Sequence, residues 1–376
     1  MMPLPRASLM VLVGVPAFFC AQLGTTQQPT PPAAPAHSET SSPSQPPDRV
    51  LSQRRAPAPP ITEGRIHLDL VVADKSGQPV PGLEMTDFTL LDNNLPSKIL
   101  SFHAFDGHLQ KAGPPAGVIL LIDTVNLPFS QVSSVRQQIA AFLLQNGGHL
   151  AAPTSIYFLS NDGVTLLQQP STDGNQVAAA LDQVNGRLRT FGRATAFGAI
   201  ERFQFSLKML TSVIETESRK PGRKLLIWAG PGWPALSGPG FDITAEDQRR
   251  TFRLIVGLSS ELRESRISLY SISQGMPGVG TNVYRDFLGG VKSAGKAVLP
   301  DLALKVLAVQ SGGLAMPPSN DLTAEIDSCV QDAGSFYTLS FDPPHADKPD
   351  EYHDLKVFVS KPGLTARTNT GYYNQP

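Results

Sequence analysis

The residue best placed to do chemistry is Asp123, which ends the apolar run Gly117-Val118-Ile119-Leu120-Leu121-Ile122. Such a run, stopped by a polar residue, reads as a strand buried on both faces. In an open α/β sheet, ligands gather in the crevice beyond the strand C-termini, which is where this carboxylate falls. An aspartate there could hold a divalent cation or serve a carboxylate-dependent hydrolysis. It could equally cap the turn that follows, which Asp does readily.

Other chemistries have little to build on. The chain holds no Gly-x-Ser-x-Gly elbow, no His-Glu-x-x-His helix and no Cys-x-x-Cys pair. Of its seven histidines, only His149 falls within the α/β region, in a segment on the face away from Asp123. Gly230-Pro231-Gly232-Trp233-Pro234-Ala235 formally satisfies a Gly-x-Gly-x-x-Ala pattern. Its two prolines remove amide donors that a phosphate would need, so it reads as a rigid turn. Trp233 in that turn is either a contact anchor at the crevice rim or a side chain packed beneath the loop. Asp162 and Asp242 lie beyond other strand ends and read as turn acids able to supply a further charge. Cys20 and Cys329 are the two cysteines, too few for a disulfide framework. These observations favour a binding protein over an enzyme.

The elements that would position Asp123 follow from periodicity. Strand patterns at 154–159, 224–229 and 267–272 alternate with helical spacing, as in Val132, Val135, Ile139, Phe142 and Leu143. Further helices are expected over 175–184, 196–217, from Thr244 as N-cap to about Arg266, over 301–309 and over 320–333. Val164-Thr165-Leu166-Leu167 is expected to form a hairpin with the strand before it, and Gly312–Met316 a short edge strand. Strand and helix in alternation from 114 to 333 predict an α/β domain with a mostly parallel sheet and helices on both faces.

Outside that region the pattern changes. Residues 62–110 carry three strand-like stretches, and 334–376 carry two or three more. Neither set buries a good core alone, so the two are expected to combine into one small β-sandwich flanking the α/β domain. Residues 1–21 have Arg6, the apolar run Leu9–Phe19 and then small residues, in the order of a bacterial signal peptide. The run is short for a membrane span, and no transmembrane segment is expected in the mature chain. Residues 22–61, rich in Pro, Ser, Thr and Gln, read as a disordered tether. A net charge of −1 with 17% charged residues gives no field for nucleic acid or an anionic membrane.

Several separated motifs then resemble one family. They are Asp74-Lys75-Ser76-Gly77-Gln78-Pro79-Val80-Pro81-Gly82-Leu83 with Asp87-Phe88, Leu121-Ile122-Asp123-Thr124-Val125-Asn126, and Pro362-Gly363-Leu364-Thr365-Ala366-Arg367 with Gly371-Tyr372-Tyr373. Together they are similar to the exported proteins with a von Willebrand factor type A-related (VWFA-related) domain abundant in acidobacteria, over about residues 62–374. The resemblance implies a Rossmann-like fold and a non-enzymatic adhesion or scaffolding role toward a protein partner in the envelope or extracellular space. It also implies a metal-ion-dependent adhesion site in which Asp123, Asn126 and Thr195 hold Mg²⁺ or another divalent cation, with Thr124, Arg193 and Trp233 on the binding rim. That site is degenerate. Val125 and Leu127 replace two serines, and Lys224–Ala229 ends without the second aspartate. The alternative is a periplasmic carbohydrate-binding or carboxylate-dependent hydrolytic protein using the same crevice.

Overall fold

The computed structural model describes residues 64–107, 116–183, 196–233, 235–238, 241–275 and 284–376. The signal-like segment, the tether, and the loop carrying Arg193 and Thr195 lie outside the described residues. Four strands open the description: β1 (Ile66–Ala73), β2 (Phe88–Asp92), β3 (Leu95–Ser97) and β4 (Ser101–Asp106). Asn93 and Asn94 join β2 to β3 with φ of 47° and 65°. Asparagine tolerates this left-handed backbone, and a two-residue hairpin needs it at both positions.

The α/β region follows as β5 (Gly117–Asp123), α1 (Phe129–Leu143), β6 (His149–Ser160), β7 (Gly163–Asp173), α2 (Gly174–Asp182), α3 (Ala196–Ser218), β8 (Lys224–Ala229), α4 (Ala245–Glu264), β9 (Ile267–Ile272), α5 (Leu304–Gln310) and α6 (Leu322–Gly334). The chain closes with β10 (Ser335–Phe341), β11 (Glu351–Val359), β12 (Thr365–Arg367) and β13 (Gly371–Asn374).

The α/β sheet has the order β7-β6-β5-β8-β9, with β5 at its centre. β6, β5, β8 and β9 run parallel, and β7 returns antiparallel to β6 as a hairpin. Alternation along β5 divides its side chains between two cores. Val118, Leu120 and Ile122 pack with α1, α2 and α6, while Ile119 and Leu121 pack with α3, α4 and α5. Each of these five side chains is at most 2% exposed, and each contributes about 1.5–3 kcal/mol of burial free energy.

Local chemistry accounts for several element ends. Thr244 caps α4 by accepting from the Asp247 amide, and the Asp247 carboxylate accepts from the Thr244 amide, a reciprocal capping box. The helix expected over 301–309 is two pieces. Pro300, lacking an N–H, sits in a 3₁₀ turn over Leu299–Leu302, and extended Ala303 separates that turn from α5. The strand expected over 312–316 is reduced to a single parallel bridge between Ser271 and Ala315.

The outer strands form two antiparallel four-stranded sheets, β12-β1-β10-β4 and β13-β11-β2-β3. Between them lie Leu68, Leu70, Val72, Phe88, Leu90, Leu339, Phe341 and Tyr372. Val71 and Phe336 point the other way and join the α/β core. Polar clamps reinforce that seam. Arg266 donates to both carboxylate oxygens of Asp69 at 3.0 and 2.6 Å. Asp332, 1% exposed, accepts from Arg367 at both oxygens and from the Tyr270 hydroxyl at 2.6 Å. Arg223 lies over the Phe336 ring at 4.9 Å and donates to the Asp332 carbonyl.

Removing one partner of such a buried ion pair leaves the other charge desolvated and uncompensated. Asp332→Ala is expected to cost about 3–5 kcal/mol, read as a lower urea midpoint. A midpoint equal to wild type would show that the Asp332 cluster does not hold the sheets together.

Candidate functional site

The site is built outward from the end of β5. Asp123 and Trp228 both lie on the α3/α4 side of the sheet, Trp228 on the strand paired with β5. Asp123 is fully buried, and each of its oxygens accepts twice. Oδ1 takes the backbone amides of Val125 and Asn126 at 3.1 and 3.0 Å. Oδ2 takes Asn126 Nδ2 and Trp228 Nε1, both at 2.8 Å. Burial pushes the carboxyl above its usual range, and these donors pull against that shift. With about four lone-pair positions on a carboxylate, all are taken. Asp123 therefore fixes the turn leaving β5 and ties it to β8.

Its neighbours are equally committed. Thr124 is buried and its hydroxyl donates to the Leu159 carbonyl at 2.7 Å. Asn126 Nδ2 also reaches Ser206 on α3 at 3.0 Å. Asn126 Oδ1 is buried and has no partner among the described residues. Trp233 is 3% exposed. Its indole stands edge-on to Trp228 with centroids 5.4 Å apart and donates to the Leu302 carbonyl at 2.8 Å. It packs beneath the loop and still lines the crevice. Arg193 and Thr195 lie outside the described residues.

Two glycines make this packing feasible. At Gly230 a Cβ would stand 2.8 Å from the Asp123 Cβ. Gly232, at φ +68°, has Leu304 where its Cβ would go, 2.5 Å from the nearest carbon. The Gly-Pro-Gly sequence is thus a close-packed turn between β5 and α5, with its backbone pressed against side chains from both.

Beside that turn opens a cleft of about 350 Å³, lined by Asn126, Arg202, Trp233, Tyr284, Leu304 and Lys305 among others. Arg202 stands one helical turn before Ser206, so α3 aims both at the β5 end. The Lys305 ammonium sits over the Tyr284 ring, 5.5 Å from its centroid. Burial holds its pKa below the ordinary lysine range, with Glu325 opposing. Among the described residues the lining includes no carboxylate. Arg202, Tyr284 and Lys305 carry no motif, and only the position of Arg202 and Ser206 on one face of the helix after Thr195 could have pointed to them.

A Mg²⁺ ion takes six oxygens in near-octahedral array, usually including one or two carboxylates. Among the described residues no three His, Cys, Asp or Glu side chains cluster. Asp123 offers no vacant acceptor, Asn126 Oδ1 is a single neutral one, and the adjoining cleft presents two cationic side chains. This described donor set does not fit a divalent cation.

An α/β domain whose mixed, mostly parallel sheet is flanked by helices on both faces has, in general terms, a Rossmann-like architecture. No family model matches the chain, and no curated protein matches it. Among solved structures it is similar to the human COPII-coat protein Sec24c, with TM-score 0.34 and 10% identity over 73% of this chain and 46% of that one. It is also similar to the SpRpn10 VWA domain, with TM-score 0.29 and 13% identity over 57% of this chain and 94% of that one. A third is the pilus adhesin SpaC from Lactobacillus rhamnosus GG, with TM-score 0.33 and 10% identity over 78% and 48%. The chain spans less than half the length of the Sec24c and SpaC structures.

Two outcomes follow from this geometry. Asp123→Ala strands three kinds of buried N–H donor and is expected to cost about 3–5 kcal/mol, while the wild-type urea midpoint stays the same in millimolar Mg²⁺ or in EDTA. A midpoint raised by Mg²⁺ would show that a cation enters. Glu325 is 7% exposed, and burial, with Asp321 adding and Lys305 opposing, pushes its carboxyl up to about 7 from 4.5. Between those values the folded chain keeps a proton that the unfolded chain has released, so stability falls as pH rises through that window. Glu325→Gln should match wild type below pH ~4 and exceed it at pH ~8 by about 2–3 kcal/mol, measured by urea unfolding at each pH.

Proposed function

We propose that this chain is a non-enzymatic binding or scaffolding protein that engages a protein partner through the crevice at the C-terminal end of its α/β sheet, as an exported VWFA-related protein. The observation that carries this reading is the surface at the C-terminal end of the sheet. Phe129 begins α1 directly after β5, and Phe197 lies in the first turn of α3, which leads the chain back to the start of β8. Both rings therefore rise at the same end of the sheet. They are 71% and 70% exposed, and large exposed aromatics at one end of a sheet are what a protein interface uses as anchors.

The fixed turn beneath supports the same reading. A cleft floor held by Asp123, Trp228 and Trp233 is preorganised, which lowers the ordering cost of association. Action outside the cytoplasm, in the periplasm or beyond the cell, is part of the proposal and rests on the sequence of residues 1–21. The Pro-rich stretch 22–61 would then serve as a spacer.

The test is capture from envelope extract on immobilised protein. Phe129→Ser with Phe197→Ser is expected to abolish capture of the species bound by wild type. Phe358→Ser, which alters a half-exposed ring on β11 of the β-sandwich, should leave it unchanged. Loss with Phe358→Ser and retention with the double variant would move the interface to the β-sandwich.

A further inference from the structure

The β-sandwich borders a second cleft, whose chemistry follows from where one strand stops pairing. Asp354 accepts from the Asn93 amide at 2.8 Å. Even-numbered residues of β11 therefore turn their backbone groups to β2, and odd-numbered ones turn theirs to β13. Leu355 donates to the Thr370 carbonyl at 2.9 Å, the last bond of that second ladder. There the chain departs. The Thr370 amide goes to the Gln310 carbonyl at 3.1 Å, and Asn369 bridges Ser311. Beyond that point the Leu355 carbonyl and both backbone groups of Val357 and Val359 have no hydrogen-bond partner among the described residues.

Sheet edges are commonly guarded by proline, by charge or by a covering segment. The far edge of the same sheet, β3, carries Pro96, which cannot donate to an added strand. The open stretch of β11, Leu355-Lys356-Val357-Phe358-Val359, has no proline. Its one charge, Lys356, reaches Asn94 in the β2–β3 turn at 2.7 Å and pairs with Asp354 at 3.2 Å. Phe358 is 53% exposed. A cleft of about 400 Å³ runs along this edge, walled by Leu355–Phe358 on one side and by Ala366–Thr370 on the other, with Val309 and Leu314 adding apolar surface. Asn369 in that second wall is 8% exposed, and its side-chain amide has no hydrogen-bond partner among the described residues.

A buried amide with donor and acceptor both idle matches a peptide group, which offers one of each. The open ladder makes the same demand, since its amides and carbonyls alternate in partial charge at strand spacing. An extended backbone satisfies both. We propose that this cleft takes an extended peptide segment of a protein partner, which pairs with β11 at Leu355, Val357 and Val359 and is held by the Asn369 amide. Apolar side chains at alternate positions of the segment meet Val309, Leu314 and Phe358. The cleft admits a few residues of one chain, and it shares no lining residue with the cleft beside Asp123. A strand this short dissociates during the washes of a capture experiment, so the two surfaces are read by different measurements.

The probe is the capped pentapeptide Ac-Thr-Val-Thr-Val-Thr-NH₂, added to the full chain and followed by hydrogen exchange of individual backbone amides. In the free chain the Val357 and Val359 amides are expected to exchange at least about tenfold faster than those of Lys356 and Phe358, which β2 protects. Saturating peptide should slow Val357 and Val359 by about tenfold. N-methylation of the peptide at its valines or at its threonines removes the donors along one edge or the other. One version is expected to bind about tenfold more weakly than its counterpart. Val357→Pro deletes a donor that no bond within the described chain uses, and should abolish the protection at Val359. Asn369→Ala should weaken the peptide by about fivefold, with an unchanged thermal midpoint certifying the fold of each variant. If Val357→Pro unfolds, Asn369→Ala and the two methylated peptides decide.

No slowing at Val357 and Val359, equal loss with both methylated peptides, or unchanged affinity in Asn369→Ala would each overturn strand pairing in this cleft. Val357 and Val359 already protected in the free chain would overturn it as well, and a mass that doubles with concentration would then assign the edge to a second copy. None of these results bears on capture through Phe129 and Phe197.

Discussion

A fully buried carboxylate at the end of the central strand constrains everything around it. Asp123 cannot reach water, so each oxygen must find protein donors, and it finds two apiece: the amides of the turn it opens, the side chain of Asn126 and the indole of Trp228. This one residue therefore sets the exit angle of β5, binds that exit to β8, and positions Asn126 against Ser206 of α3. Asp123 joins β5 to β8, and Asn126 extends the network to α3. The glycines of the following turn exist in the same frame, since a Cβ at Gly230 would press on Asp123 itself.

Placing the carboxylate in the floor determines what is left to face a ligand. Among the described lining residues the charged side chains are Arg202 from α3 and Lys305 from α5, and Asn126 Oδ1 is a neutral acceptor. The two sheets of outer strands lie along the seam that Asp69, Arg266, Asp332 and Arg367 hold, and none of these residues lines the cleft beside Asp123.

Much of the α/β layout is legible in the primary structure because it is a matter of period. The unbroken apolar run of β5 can only be buried on both faces, and helical spacing in α1 and α4 can present apolar stripes to either side of it. Thr244 and Asp247 announce a helix start through their own side chains. Boundaries fail where the backbone departs from the period: extended Ala303 divides the helix expected over 301–309, and only one bridge survives of the strand expected over 312–316.

The sequence by itself determined the alternation of strands and helices, the two-faced burial of the central strand and the position of an aspartate at its end. It could not determine what that aspartate does, because a carboxylate reads the same whether it faces a cation or four N–H donors. Only the tertiary structure brings Trp228 to Asp123, packs Trp233 under its loop, and gathers Arg202, Tyr284 and Lys305 from distant segments into one cleft. Strand placement is a property of short-range periodicity, whereas the polarity of a site is a sum over side chains that only folding makes neighbours.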